Sequence, residues 1–511
     1  MSKSTSPHHG DTHRLVGLCV SFFVLFSSYF ATQNYVTPTL GAFGSLSLGL
    51  LYGTLALVAC AAPACLRRLQ RLCSARRDSL RSETVALACG SLMYAPFPLV
   101  CAARHLRWAQ LLGSVVLGCG AGLLWVAQGS LLTACTTEAN RGRWSGVFWA
   151  AFMAGNAAGN FSSAALVRAT SFSTMFVVLS GVAALSSVCF AALVRPRRTV
   201  RLATGRDDGD DGGASAHANL LHDAAALPAQ SVGDDLRALG GVLTRRETLC
   251  LLPLLLFIGA ENAFWGGEFA SLVSRLGAAD SVGLVVGSLA LADMAASVLA
   301  GLLIDRGRPL VALLLGLAAF GAALLLVTFQ LLPLLATDDD DADDANDDAN
   351  DDANDDDPSS LPWTAFAAAA LMGTGDAAAN TVALSRLGSL AEAKHLPREA
   401  VRARGCHTAL PSSAHATPPA HAPSRSGRHD GLQCARGASQ AFQYFQVANV
   451  AMTALAFCYA PLTPLAPPTG TGVGGLFQFQ PLLLVVLAAG GVGGFCLRRP
   501  VAVGRDQESV P

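Results

Sequence analysis

Four acidic side chains lie inside long apolar stretches of the second half of this 511-residue sequence: Glu261, Glu268, Asp293 and Asp376. Charged groups are costly inside a membrane, and acids there usually face the interior of a helix bundle. One interpretation is therefore a site that binds protons or another cation. The alternative is hydrogen bonding between helices that only fixes their packing.

Spacing places some of these side chains together on a helix surface. Glu261 and Glu268 are seven residues apart, and Asp376 and Asn380 are four apart, so each pair is expected to share one helical face. The first half of the sequence has no comparable acid. Its apolar stretches carry amides, which either line a polar cavity or hold helices together: Gln33, Asn34, Gln128, Asn156 and Asn160.

A short loop combines two glycines with acidic and basic residues. The run Gly301-Leu-Leu-Ile-Asp305-Arg306-Gly307-Arg308 resembles the loop signature Gly-x-x-x-Asp-Arg-x-Gly-Arg of major-facilitator transporters, one residue short. Asp305 in such a loop can pair with arginine and with helix ends, which would fasten the cytosolic face. The alternative is an ordinary turn rich in positive charge.

Enzymatic chemistry has little support in the sequence. No phosphate-binding loop, nucleophile motif or zinc-protease motif is present. The histidines and cysteines between 396 and 437 have no spacing known for a metal site. We therefore expect a non-enzyme without a cofactor, a metal site or a nucleic-acid partner.

The elements that must position these residues are membrane helices. Hydrophobic residues make up 52% of the chain and charged residues only 14%, against about 25% in soluble proteins. This excludes a soluble multidomain enzyme, a coiled coil and a disordered chain. A membrane helix needs about 20 apolar residues, which predicts twelve spans: 15–37, 43–66, 84–103, 109–134, 145–167, 173–194, 248–272, 281–304, 309–336, 362–390, 439–463 and 476–497.

Loop charges predict the orientation. With the N-terminus inside, the cytosolic segments hold 30 Lys and Arg residues and the opposite loops hold 4. We therefore expect an integral, multi-pass membrane protein with both termini cytosolic, and plasma membrane and endomembranes both remain open. The net charge of −1 conceals this pattern because 13 of the 36 acidic residues lie in the repeat 338–357.

The predicted fold class is an all-α bundle of the major-facilitator type, with twelve transmembrane helices in two six-helix halves. A cytosolic tail, 1–14, precedes the first half, 15–194. The basic linker 195–247 leads to the second half, 248–497, and a cytosolic tail, 498–511, follows. The second half contains two low-complexity inserts, 338–357 and 396–437.

Several runs resemble the Unc-ninety-three family, the ion channel regulatory proteins of the major facilitator superfamily. The resemblance spans nearly all the predicted helices and skips both inserts. It is carried by FSSYFATQN (26–34), GSLSLGLLYGTLAL (44–57), GLLWVAQGSLLT (122–133), GVFWAAFMAGNAAGN (146–160), GAENAFWGGEFA (259–270), LADMAASVLAGLLIDRGR (291–308), GTGDAAANTVALSRLGSL (373–390) and AFQYFQVANVAMTALAFCYAP (441–461).

The resemblance implies a transporter-like fold in a protein that acts as a partner of other membrane proteins. Some members are linked to potassium channels and potassium balance, and an animal branch escorts innate immune receptors. The family has no agreed substrate residues. Its polar motifs fall on Gln33, Asn34, Gln128, Asn160, Glu261, Asp376 and Asn380.

Three functions follow as expectations. The first is a regulator of an ion channel, most simply of potassium handling, that contacts its partner through membrane helices. The second is a proton- or cation-coupled transporter of a small molecule or ion, motivated by Glu261 and Asp376. The third is a trafficking chaperone for another membrane protein. The lipid bilayer is the surrounding medium in each.

Overall fold

The structure is a computed structural model that describes residues 9–73, 81–136, 138–194, 246–277, 280–334, 361–393, 447–458 and 479–497, with isolated positions between 233 and 244. Nearly all of these residues are helical. Both predicted inserts, most of the predicted linker and the C-terminal tail lie outside the described residues. The predicted N-terminal tail overlaps the first helix, which begins at His9.

Fifteen α-helices are described in these ranges. They are α1 (His9–Leu40), α2 (Ala42–Cys73), α3 (Arg81–Leu92), α4 (Pro96–Ala102), α5 (Arg107–Ala134), α6 (Glu138–Ala169), α7 (Phe172–Val194), α8 (Arg246–Leu249), α9 (Leu252–Ala263), α10 (Ala270–Leu276), α11 (Ser281–Asp305), α12 (Pro309–Leu326), α13 (Trp363–Ala393), α14 (Val447–Cys458) and α15 (Phe479–Leu497).

Three predicted spans are interrupted rather than continuous. The span 84–103 divides into α3 and α4 at a turn, where Pro96 begins α4 because proline suits the first position of a helix. A π-helical turn, Phe264–Phe269, joins α9 to α10. A second π-helical turn, Val327–Leu331, follows α12. Such turns are rare and often mark functional sites.

Eight described helical segments are long and apolar enough to cross a membrane. The helices α6 and α13 are not among them, although their 32 and 31 residues suffice in length. Both carry buried polar side chains, which lower their hydropathy. The described parts of α14 and α15 are apolar but shorter. An all-helical membrane fold is therefore confirmed, whereas the count of twelve spans stays a prediction.

Helices pack closely where glycine faces a neighbouring backbone. The helix α1 packs against α6 and α7, α2 packs against α5, and α13 packs against α11 and α12. At the crossing of α1 and α6, a methyl group added to Gly159 would overlap the Ser27 carbonyl oxygen. Small residues permit this approach, as is usual between membrane helices.

Helices from the first and second parts of the chain meet where α1 and α6 end and α11 begins. The hydroxyl of Tyr35 accepts a hydrogen bond from the backbone N–H of Gly283 at 3.1 Å. Arg168 forms an ion pair with Asp280 at 2.6 Å. These contacts join the two parts of the chain at one end of the bundle, and we call them the seam.

Candidate functional site

Three of the predicted acids come together in the second part of the chain. Glu261 of α9, Asp293 of α11 and Asp376 of α13 are 0%, 0% and 7% exposed. The Asp376 carboxyl interacts with both of the other two. We call these three residues the acid cluster. Ionised carboxylates this close repel one another, so the arrangement is suited to holding protons or a cation.

Hydrogen bonds orient two members of the acid cluster. The Asn380 side-chain amide donates to Oδ1 of Asp376 at 2.7 Å, and Ser297 donates to Oδ1 of Asp293 at 3.0 Å. Neither carboxyl oxygen of Glu261 has a hydrogen-bond donor among the described residues. Glu261 therefore has fewer neutral hydrogen-bond donors among the described residues than Asp293 or Asp376.

A glycine lets the helices of the cluster approach each other. A methyl group on Gly373 of α13 would overlap the Leu289 carbonyl oxygen of α11 and reach the Asp293 backbone N–H at 3.1 Å. Because this contact draws α13 against α11, the side chains of Asp293 and Asp376 meet.

Glu268 does not join the acid cluster. It is 8% exposed and lies in the π-helical turn Phe264–Phe269, which interrupts the α-helical spacing between it and Glu261. The prediction that the two glutamates share one face assumed a continuous α-helix. It is wrong in that respect because the wider turn changes the register.

The predicted amides of the first part form a separate network. Asn160 donates through Nδ2 to Oδ1 of Asn156 at 2.7 Å, and its own Oδ1 accepts from Asn34 at 3.0 Å. Gln33 accepts a hydrogen bond from the Tyr52 hydroxyl at 2.6 Å. We call Asn34, Asn156 and Asn160 the amide cluster.

A cavity of about 100 Å³ is lined by residues from both the first and the second part of the chain. The first part contributes residues of α1, α2, α5, α6 and the turn between α3 and α4, and the second part contributes residues of α9, the π-helical turn Phe264–Phe269, α13 and α14. Asp376 and Asn380 line it, whereas the other predicted site residues are not among its lining residues. These positions favour the interpretation that the amides hold helices together over the interpretation that they line a polar cavity. Gln128 is buried away from the cavity, and its Oε1 has no partner among the described residues.

Sequence reasoning missed the aromatic wall of this cavity. Nine of its eighteen described lining residues are Phe, Tyr or Trp, contributed by α1, α2, α5, α6, the turn between α3 and α4, and the π-helical turn Phe264–Phe269. It also missed Asn262, which lines the cavity one residue after Glu261. The signal was present as the aromatic runs of the first and sixth helices, but apolar patterning alone does not separate cavity wall from core.

The loop signature forms a tight turn between α11 and α12. Helix α11 ends at Asp305, and Arg306 and Gly307 return their backbone N–H groups to Leu302 and Ile304. Gly307 has φ of 73°, a left-handed conformation that glycine adopts at helix ends without steric cost. Asp305, Arg306 and Arg308 are exposed, and Gly301 is half-buried on α11. The turn lies far from the acid cluster along α11.

Among the described residues, no group of three or more His, Cys, Asp or Glu side chains could hold a metal ion.

The fold is shared with solved transporters. A crystal structure of the nucleoside transporter NupG superposes with a TM-score of 0.55 at 11% identity, covering 96% of this chain and 100% of that one. A peptide transporter, POT, gives a TM-score of 0.52 at 15% identity, covering 93% of each chain. The protein therefore has a fold of the major-facilitator type.

Sequence comparison defines the family within that class. The sequence model of "Ion channel regulatory protein UNC-93" matches residues 70–401, and the chain belongs to this family. UNC93-like protein MFSD11 of Xenopus laevis is 25% identical over 417 residues, 78% of this chain and 87% of its own length. UNC93-like protein 3 of Arabidopsis thaliana is 26% identical over 270 residues, 49% of this chain and 51% of its own. The predicted family is confirmed, and family and fold are those of regulators or transporters.

Proposed function

We propose that the chain is a proton- or cation-coupled transporter of small solutes. The observation that carries the proposal is the acid cluster, which is buried beside a central cavity and reaches it through Asp376. Buried acids in membrane proteins mark proton and substrate pathways. The major-facilitator fold supports the same conclusion, because its substrate sites lie near the middle of the membrane between two repeats.

In this proposal each acid has a distinct role. Asp376 contacts the solute in the cavity, and Glu261 and Asp293 hold or release the coupling proton behind it. Asn380 is a positioning residue because its amide fixes one oxygen of Asp376 at 2.7 Å. Movement of the proton between the three carboxyls would couple solute binding in the cavity to the net charge of the acid cluster.

The proposed architecture retains twelve membrane helices in two six-helix halves, with cytosolic termini. The excess of positive charge in the predicted cytosolic loops supports this orientation. The turn at Asp305 and Gly307 would then lie on the cytosolic face. The seam would lie at the opposite end of the bundle.

The test is coupled uptake. The full chain is purified and reconstituted in liposomes with an imposed pH gradient. An extract of cellular small molecules is added, and the lumen is analysed by mass spectrometry. We expect at least one solute to accumulate above protein-free liposomes, and Glu261→Gln to reduce that accumulation by about tenfold or more, since removing a catalytic acid or base typically costs 10²–10⁴-fold in enzymes.

The matched control is Glu247→Gln on α8, because Glu247 is exposed and lies outside the cavity. It carries the same chemical change shortly before the same membrane segment, and uptake should be unchanged. No accumulation by the unmodified protein would overturn the proposal. Equal uptake by Glu261→Gln and Glu247→Gln would overturn the role of Glu261.

A second candidate is regulation of an ion channel, such as a potassium channel, through helix contacts. The family membership of the chain favours it. Purification of the tagged protein from its native membranes in mild detergent should then recover a channel in fixed ratio. A receptor in fixed ratio, mislocalised when this protein is deleted, would instead indicate a trafficking chaperone. A protein recovered alone would count against both.

A further inference from the structure

The cavity has an aromatic wall and one acidic lining residue, Asp376. Three indoles and three phenols form much of the wall: Trp125, Trp149, Trp265, Tyr29, Tyr52 and Tyr94. None of the described residues that line it is Lys, Arg or His. The ring faces of Trp and Tyr carry negative electrostatic potential, which attracts a cation within about 6 Å of a ring centroid.

The phenols are held by their own hydroxyl groups. The Tyr29 hydroxyl donates to that of Tyr52 at 3.0 Å, and the Tyr52 hydroxyl donates to Oε1 of Gln33 at 2.6 Å. These two hydrogen bonds end at the side chain of Gln33, which is buried and lies outside the cavity lining. They therefore fix the rings of Tyr29 and Tyr52 in place. The aromatic wall is thus preorganised before any ligand enters.

Other lining residues supply acceptors. Asp376 is 7% exposed and lines the cavity, and its carboxyl interacts with that of Glu261. Oδ1 of Asn262, another lining residue, receives no hydrogen bond from the described residues, and neither does either carboxyl oxygen of the fully buried Glu261. Buried acceptors left without donors are costly, so these residues are suited to a ligand that brings positive charge or N–H groups. The Nε1 groups of Trp149 and Trp265 also lack a hydrogen-bond partner among the described residues, but their ring faces remain available to a cation.

We infer that the cavity binds a small organic cation, an alkylammonium group seated on the aromatic wall with its charge toward Asp376. The inference rests on the proposed function for the ligand's role as the transported solute. An anion would meet the acid cluster without a basic partner. A neutral apolar molecule would leave the carboxylate and the Asn262 oxygen unmatched.

The size of the cavity limits the ligand. Its volume of about 100 Å³ is below the about 300–1,000 Å³ of pockets that hold drug-sized ligands. A bare inorganic cation would make little use of an apolar wall, because aromatic faces replace hydration poorly for a strongly hydrated ion. A tetra-alkylammonium ion with short chains fits both the volume and the wall.

The experiment is equilibrium binding of radiolabelled tetramethylammonium to the full chain in detergent, with displacement by unlabelled compounds. Unlabelled tetramethylammonium should displace the label, whereas tert-butanol, a neutral molecule of similar shape, and potassium chloride at equal concentration should not. Equal displacement by tert-butanol would overturn the need for charge. Equal displacement by potassium would replace the organic cation with an inorganic one.

Two variants test the contributions of the acid and of the aromatic wall to binding. Asp376→Asn and Trp125→Leu should each weaken tetramethylammonium binding by about tenfold or more. Glu247→Gln is the control for the acid, and Trp363→Leu is the control for the indole because Trp363 is exposed and outside the cavity. Unchanged binding by both cavity variants would overturn the proposal. Size-exclusion profiles identify any variant that fails to fold, and Trp149→Phe then takes the place of Trp125→Leu.

Failure of this inference is distinct from failure of the transport proposal. A protein that binds tetramethylammonium but accumulates no solute in liposomes retains the binding site and loses the transport function. A protein that accumulates solutes but does not bind tetramethylammonium retains transport, and the organic-cation inference is then wrong.

Discussion

The amide cluster and the acid cluster use one helix motif with different chemistry. On α6, Asn160 donates to the carbonyl oxygen and Oδ1 of Asn156 at 2.9 and 2.7 Å. On α13, Asn380 donates to the carbonyl oxygen and Oδ1 of Asp376 at 3.0 and 2.7 Å. The motifs differ at their first position, where an amide nitrogen in one replaces a carboxylate oxygen in the other.

The neighbours of each motif account for this difference. Asn160 meets another amide, that of Asn34, so its network is neutral and joins α1 to α6. Asp376 meets two further carboxyls and the cavity. The comparison indicates that the motif itself positions a polar group. In the proposed function, the surroundings of that group decide whether it holds helices together or binds a proton or cation.

The largest expected effect comes from making the amide cluster resemble the acid cluster. Asn156→Asp would place a carboxylate at a 0% exposed position with neutral partners only. A charge there should cost about 2.5–3.5 kcal/mol of stability. The thermal unfolding midpoint of the purified protein measures it. Asp376→Asn, the reverse change, should cost less than about 1 kcal/mol because it relieves repulsion, and equal losses for both variants would refute the comparison.

A smaller effect is expected from removing the shared asparagine of each motif. Asn160→Ala leaves the buried Asn34 amide without its acceptor and should cost about 1–3 kcal/mol. Asn380→Ala removes one donor from Asp376, but a neighbouring carboxyl of the acid cluster can donate in its place when protonated, so the stability loss should be smaller. Denaturant unfolding of the two variants tests the order, and a larger loss for Asn380→Ala would reverse the assigned roles.

A glycine of the π-helical turn, Gly266, lies against the side chain of Gln33. A methyl group on Gly266 would lie 2.5 Å from Nε2 of Gln33. Gly266→Ala should displace Gln33, disturb its bond with Tyr52 and cost about 1 kcal/mol. Gly181→Ala on the open face of α7, where no atom lies within 4 Å, is the control and should not destabilise. An unchanged unfolding midpoint for Gly266→Ala would contradict the contact.

The smallest effect is expected for an acid outside the acid cluster. Asp280→Asn breaks the ion pair with Arg168, in which the Asp280 side chain is 8% exposed and the Arg168 side chain is 73% exposed. Because one partner of the pair lies in solvent, we expect a stability change of about 0–1 kcal/mol that shrinks further at high salt. A loss as large as that of Asn156→Asp would show that losing this pair matters as much as placing an unpaired charge in the amide cluster.

Much of the fold and part of the site could be predicted from the sequence. Apolar runs of about 20 residues located the helices, and single polar residues within them identified Glu261, Asp293 and Asp376, because charge in an apolar run is conspicuous. Helix interruptions could not be predicted in the same way. The π-helical turn Phe264–Phe269 has no proline, and its wider register follows from packing rather than from local propensity.

The aromatic wall could not be predicted for a different reason. Tyr29, Tyr52 and Trp125 belong to three helices, and only the crossing of those helices brings them to one cavity. In the sequence each is one apolar residue among many. Asn262 was missed because the adjacent glutamate dominated the interpretation of the same run.

The contacts of the seam bear on the conformational equilibrium of the bundle. Its bonds between Tyr35 and Gly283 and between Arg168 and Asp280 favour one arrangement of the helices over others. In the proposed transporter, a ligand arriving from that side would bind only the fraction of molecules in which these bonds are broken. Its apparent dissociation constant is the intrinsic constant divided by that fraction. The affinity measured from one face of the membrane would therefore depend on the stability of the seam as well as on the contacts in the cavity.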